Sequence, residues 1–84
     1  LDVRTPEEFA QGHLEGALNV DVSAPDFADR VGELDRAATY AVYCRSGNRS
    51  AAALAEMAEL GFTDSHHLGG GIGAWQSAGH PVVR

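Results

Sequence analysis

The chain is predicted to be an α/β domain with a mainly parallel central sheet flanked by helices. Three observations predict it. Short apolar or β-branched runs alternate with helix-forming runs along the whole length. Apolar residues make up 44% of the 84, which suits a globular core. Glycines stand where helical runs stop, at Gly12, Gly61 and Gly79.

Taken in order, Leu1-Asp2-Val3 reads as the end of a strand. Thr5 and Glu8 have capping-box spacing and Pro6 suits a first helical position. A helix is therefore expected through Phe9 to about Gln11, closed by Gly12. Gly16-Ala17-Leu18-Asn19-Val20 reads as a short second strand. Asp26 to Val31 is expected to form a short helix capped by Ser23 or Asp26. Thr39-Tyr40-Ala41-Val42-Tyr43 is a buried strand by composition. Ser50 to Leu60 is made almost wholly of strong helix formers, with Gly61 at the C′ position. Ala51, Leu54, Met57 and Ala58 are its expected apolar face. Asp64 to Leu68 suggests a further strand, Gly69-Gly70-Gly71 a tight loop, and Ile72 to Ala78 a last helix. Trp75 on that helix is expected in the core. Gly79-His80-Pro81 breaks it, and Val82-Val83 is extended. No repeat, low-complexity tract or linker interrupts residues 1–84, so one domain is expected.

Between the buried strand and the long helix lies Cys44-Arg45-Ser46-Gly47-Asn48-Arg49. Cys44 thus falls at the carboxyl end of a strand and just before a helix N-terminus, where ligands of parallel sheets bind. Backbone N–H groups there are unpaired and the helix dipole is positive. That setting favours a thiolate over a thiol. Gly47 permits φ > 0, so successive N–H groups can form an anion nest. Arg45 and Arg49 add positive charge, expected to depress the Cys44 pKa further and to hold an anionic substrate. Ser46 and Ser50 offer hydroxyls, and Asn48 tolerates a left-handed turn. A lone free cysteine is most often a small buried hydrophobe. A merely structural cysteine, however, needs neither two nearby arginines nor a Ser-Gly-Asn turn.

Composition excludes several classes. A net charge of −6 disfavours nucleic acid and anionic membrane surfaces as partners. A single cysteine forbids an internal disulfide and a C-x-x-C redox cycle, and fits a reducing, cytoplasmic location. No apolar run reaches membrane-spanning length and no signal-peptide pattern is visible. His66 and His67 are adjacent, so on a strand they point to opposite faces and make a poor metal pair. The triple glycine is too short and isolated for a nucleotide-binding fingerprint. No metal or cofactor is expected.

Several segments in this order match a known pattern: Asp2-Val3-Arg4-Thr5-Pro6-Glu7-Glu8-Phe9; Gly12-His13-Leu14-Glu15-Gly16-Ala17-Leu18-Asn19-Val20; Tyr43-Cys44-Arg45-Ser46-Gly47-Asn48-Arg49-Ser50; Leu60-Gly61-Phe62; Gly70-Gly71-Ile72 with Trp75; and Gly79-His80-Pro81-Val82. The chain closely resembles a single-domain rhodanese, a thiosulfate sulfurtransferase, over essentially its whole length. The resemblance implies the rhodanese-like α/β fold. It also implies a ping-pong cycle in which the thiolate of Cys44 takes the outer sulfur of a donor such as thiosulfate and passes it to cyanide or a thiol. In the family the loop amides after the cysteine cradle the persulfide, and Arg45, Ser46, Gly47, Asn48, Arg49 and Ser50 hold those places here. Asp2 and Arg4 match a pair that is mainly structural, and His13 a packed, hydrogen-bonded histidine.

Related phosphatases and arsenate reductases use a Cys-x5-Arg loop one residue longer. Position 50 is Ser50 and the arginine comes at Arg49, which opposes that chemistry. The alternative within the resemblance is a persulfide carrier or interaction module that serves a partner protein and turns over thiosulfate weakly. Three departures stand out. The family usually carries a strand, often with a helix, before Asp-Val-Arg, whereas this chain starts at Leu1 without a methionine, so an N-terminal strand is expected to be lacking. Glu15 and Asp21 stand where proline is common, both expected at the surface.

Overall fold

The sheet is assembled around Leu1–Val3. In the computed structural model, which describes residues 1–84, Tyr43 N–H donates to Leu1 O at 2.9 Å and Val3 N–H to Tyr43 O at 3.0 Å. On the other side Asp2 N–H reaches Leu18 O at 2.7 Å and Val20 N–H reaches Asp2 O at 2.9 Å. Strand β1 (Tyr40–Val42) pairs in parallel with β2 (Ser65–His67), Val42 opposite His67. The spatial order is therefore 18–22, 1–3, β1, β2, and all these pairings are parallel.

The expected strands at 1–3 and 16–20 are single bridges rather than ladders, from Asp2 to Asn19 and to Tyr43. Two local causes shorten them. Ala17 N–H closes a turn onto Leu14 O at 3.0 Å, which delays the second segment to Leu18. The Asn19 amide donates to the Asp2 carbonyl at 3.1 Å, beside Val20 N–H, and to the Arg4 carbonyl at 2.9 Å, where it stands in place of a ladder bond. An antiparallel bridge between His13 and Val83 ties the extended tail to the end of α1.

Helix α1 (Pro6–Gln11) has the full capping box: Thr5 Oγ1 accepts from Glu8 N–H, and Glu8 Oε1 accepts from Thr5 N–H, each at 3.2 Å. His13 stacks on Phe9 with ring centroids 3.7 Å apart, and its Nδ1 lies 2.8 Å from Phe9 O. Helix α2 (Phe27–Val31) follows Asp26, but neither expected side chain caps it. Asp26 makes no cap bond, and Ser23 instead donates to the Asp21 carboxylate.

Helix α3 (Asn48–Glu59) starts two residues earlier than its composition suggests, because Gly47, at φ +117°, takes the N-cap position. Its buried face is Ser50, Ala53 and Met57, supported by Leu54 and Leu60. Ala51 and Ala58 are exposed, contrary to expectation. In an alanine-rich helix the apolar contrast is too weak to orient the face, and the buried Ser50 and Met57 set it instead. Helix α4 (Gly71–Ser77) buries Gly71 and Ile72. Trp75 is not in the core: it is half-buried, donates from Nε1 to Pro81 O at 2.9 Å and rests on His80.

The core comprises Val3, Val20, Phe27, Val31, Val42, Cys44, Ala53, Met57 and Phe62. No helix is long and apolar enough to cross a membrane. Met57→Ala should cost about 2–5 kcal/mol in chemical denaturation, whereas Ala58→Ser should stay within about 0.5 kcal/mol. Equal losses would place the buried face of α3 elsewhere.

Candidate active site

Cys44 ends the central strand segment and is 1% exposed. Four residues, Cys44–Gly47, separate Tyr43 from α3. The turn places Gly47 N–H 3.1 Å from Cys44 Sγ, and the Ser50 hydroxyl lies 3.6 Å from the same sulfur. Ser50 is fully buried and also donates to Gly47 O at 3.1 Å. Behind the loop, Ile72 N–H takes the Cys44 carbonyl at 2.9 Å and Gly73 N–H the Arg45 carbonyl at 3.0 Å. The carbonyls are thereby turned toward α4 while N–H groups face the sulfur. That orientation is the requirement for an anion nest.

Burial alone would push the Cys44 thiol up. Hydrogen bonds from the Ser50 hydroxyl and from the backbone of Ser50, Gly47 and Ser46 outweigh it and bring the pKa down to about 7. Near neutral pH much of the sulfur is thiolate, the nucleophilic form. The dominant donors are fixed dipoles of the fold, not the arginine charges that the sequence emphasises.

The cations near the loop have different fates. Arg49 forms a two-point pair with Glu8, at 2.6 and 2.9 Å, which holds the Glu8 carboxyl down at about 2. This guanidinium, expected to hold an anionic substrate, is engaged by the carboxylate. Arg4 is buried and forks onto Asp2, with Nη2 2.6 Å from Oδ2 and a further bond to Gly12 O at 2.7 Å. Burial works against the Arg4 charge, but the Asp2 carboxylate more than compensates and raises its pKa above the usual value. Arg45 is exposed and makes no ion pair. It borders a polar cleft of about 350 Å³ with Arg4, Glu8, Gln11 and Gln76.

Ser46 and Asn48 are exposed and their side chains make no hydrogen bond within the protein, while Ser46 bonds the sulfur from its backbone. Two contacts were not foreseen from the sequence. Glu8 reaches Arg49 across 41 positions, and His67 Nδ1 comes 3.3 Å from Ser50 Oγ. His66 turns away to Asp64. No group of three or more His, Cys, Asp and Glu side chains is placed to hold a metal ion.

The profile of the Rhodanese-like domain family matches residues 1–78. The chain belongs to this family. Among its rhodanese relatives, "Thiosulfate sulfurtransferase 16, chloroplastic" of Arabidopsis thaliana is 40% identical, over 98% of this chain and 77% of its own. "Thiosulfate sulfurtransferase GlpE" of Pseudomonas aeruginosa is 36% identical, over 92% of this chain and 68% of its own. "Probable adenylyltransferase/sulfurtransferase MoeZ" of Mycobacterium tuberculosis is 38% identical, but the match spans only 21% of its length. Among solved structures, a rhodanese-related protein of Thermoplasma volcanium superposes with TM-score 0.88 at 38% identity, covering 99% of this chain and 80% of its own. A rhodanese-like domain from Anabaena sp. also gives 0.88, at 27% identity, covering 99% of this chain and 94% of its own.

The rate of Cys44 alkylation by iodoacetamide should rise about tenfold per pH unit below about 7 and level off above it, following the thiolate fraction. Ser50→Ala should move that midpoint upward, because burial then opposes ionisation with one donor fewer. A midpoint near that of a free thiol in the unaltered protein would contradict the assigned role of the loop.

Proposed function

We propose that the chain is a sulfurtransferase that moves sulfane sulfur from thiosulfate, or a similar small anionic donor, to a thiol or cyanide through a Cys44 persulfide. The observation that carries this reading is the 3.1 Å approach of Gly47 N–H to Cys44 Sγ, in a loop whose carbonyls bond away from the sulfur. Relatives named thiosulfate sulfurtransferase at 36–40% identity support it.

In the first half-reaction the Cys44 thiolate attacks the outer sulfur of thiosulfate. A sulfur–sulfur bond forms to Cys44, the donor's own sulfur–sulfur bond breaks, and its electron pair leaves with sulfite. The persulfide left on the protein carries one negative charge, which the loop N–H groups stabilise as they stabilised the thiolate. In the second half-reaction cyanide or a thiolate attacks the terminal sulfur, and the electron pair of the breaking bond returns to Cys44. No external base is assigned, since with a pKa of about 7 much of the nucleophile is ionised near neutral pH. Arg45, free of any carboxylate and bordering the cleft, is the group assigned to the departing sulfite end of the donor. Asp2 and Arg4 hold the backbone beneath the site, and Ser46, Gly47, Asn48 and Ser50 shape the nest. Arg49 contributes by anchoring α3 to α1.

The loop length separates this chemistry from phosphoryl transfer. The arginine falls at Arg49, one residue short of the Cys-x5-Arg spacing of the related phosphatases, which leaves a tighter loop than a tetrahedral phosphate asks for. A second reading is favoured by the match to a small part of the much longer Mycobacterium tuberculosis relative. In that reading the same persulfide loop serves a partner protein and turns over thiosulfate slowly. Turnover with thiosulfate and cyanide alone distinguishes the two.

Intact-protein mass spectrometry after mixing with thiosulfate should show a gain of one sulfur atom, lost on adding cyanide and absent in Cys44→Ser. A gain in that variant would sink the mechanism. Arg45→Ala should weaken transfer from thiosulfate about tenfold while sparing a neutral sulfane donor, as expected for one lost charge-assisted contact. Equal losses for both donors would remove Arg45 from the assigned role.

A further inference from the structure

The hydroxyl of Ser50 carries one hydrogen, and three neighbours contest it. Its Oγ lies 3.6 Å from Cys44 Sγ, 3.1 Å from Gly47 O and 3.3 Å from His67 Nδ1. A thiolate and a carbonyl can only accept, while an imidazole nitrogen donates or accepts according to where its proton sits. With Nδ1 bare, three acceptors draw on one hydrogen and the sulfur receives at most a share. With a proton on Nδ1, the imidazole donates to the serine oxygen. That polarises the hydroxyl and leaves its hydrogen to the carbonyl and the sulfur.

We propose that His67 is a positioning residue for the Cys44 nucleophile: by donating from Nδ1 to Ser50 Oγ, it turns the serine hydroxyl toward the sulfur. The inference deepens the sulfurtransferase reading and rests on it. Sheet register brings the parts together. His67 stands opposite Val42, two residues before Cys44, so the end of β2 comes level with the start of the loop. Ser50 is the third residue of α3 and its side chain is fully buried, so its partners are those of the fold. His67 itself is exposed. A solvent-facing group thereby reaches a sulfur that is 1% exposed.

The charges around the imidazole leave this contact uncontested. The elements packed on β2 are β1 and α3. β1 has no charged residue. On α3, Arg49 is held by Glu8, and Glu56 and Glu59 lie on later turns. Next to β2, Asp64 is engaged by His66 and Thr39. The hydrogen-bond partner of His67 is Ser50.

The test is the pH dependence of Cys44 alkylation by iodoacetamide in the unaltered protein and in His67→Leu, His67→Asn and His66→Asn, with a melting curve for each. Asparagine sets an amide nitrogen close to where Nδ1 stands, a donor that does not titrate. His67→Leu should raise the thiol midpoint by about half a unit or more, the size of one lost hydrogen bond. His67→Asn should restore the midpoint, and His66→Asn should leave it unchanged. A leucine variant that titrates like the unaltered protein overturns the proposal, and so does an asparagine variant that fails to restore it. Alkylation reports the thiolate whatever the sulfur donor is. A normal alkylation profile without any sulfur gain from thiosulfate would therefore indict the proposed reaction and not the role of His67.

Discussion

Two backbone hydrogen bonds govern the site. Ile72 and Gly73 take the carbonyls of Cys44 and Arg45, and in doing so turn the loop so that N–H groups converge on the sulfur. The approach is so close that a Cβ on Gly71 would lie 2.4 Å from Cys44 O and 2.7 Å from Arg45 O, and Gly71 also sits at φ +66°. Both facts call for glycine. The surroundings of the sulfur are thus made largely of main chain, positioned by the hydrogen bonds of α4 to the loop that follows β1. Ser46 accordingly acts on the sulfur from its backbone, while its side chain makes no hydrogen bond.

The same site looks more cationic in the sequence than in space. Arg4, Arg45 and Arg49 all lie near the loop, but Asp2 neutralises the first and Glu8 the last. What remains is Arg45 on a protein of net charge −6. On the proposed reaction, recognition of an anionic donor would rely on short-range contacts at the loop. Long-range attraction contributes little, and physiological salt screens it further.

Features carried by neighbouring residues were legible in the sequence. The capping box of Thr5 and Glu8, Pro6 at the helix start, the Gly61 stop and the strand–loop–helix around Cys44 each depend on a few adjacent positions. The parallel order of the sheet also followed from the alternation of elements. Features that depend on which elements meet were not legible. The Glu8–Arg49 pair, the contact of His67 with Ser50 and the bridging amide of Asn19 join segments far apart in the chain. The orientation of α3 was missed because alanine gives little hydropathic contrast, and Trp75 because a seven-residue helix leaves a large ring at the rim of the fold. Asp26 stands at the right position to cap α2, but its side chain does not make the bond.

The depth of Cys44 sets a condition on whatever meets it. A side chain that is 1% exposed offers a folded partner almost no surface while it is unloaded. Loading with sulfur would change that geometry, because a sulfur–sulfur bond extends the side chain by about 2 Å. The terminal atom, not the cysteine, would then be the one offered at the mouth. On the proposed reaction the loop would work as a ratchet on length: the empty nucleophile would be withdrawn from bulky thiols, and the loaded one presented to them.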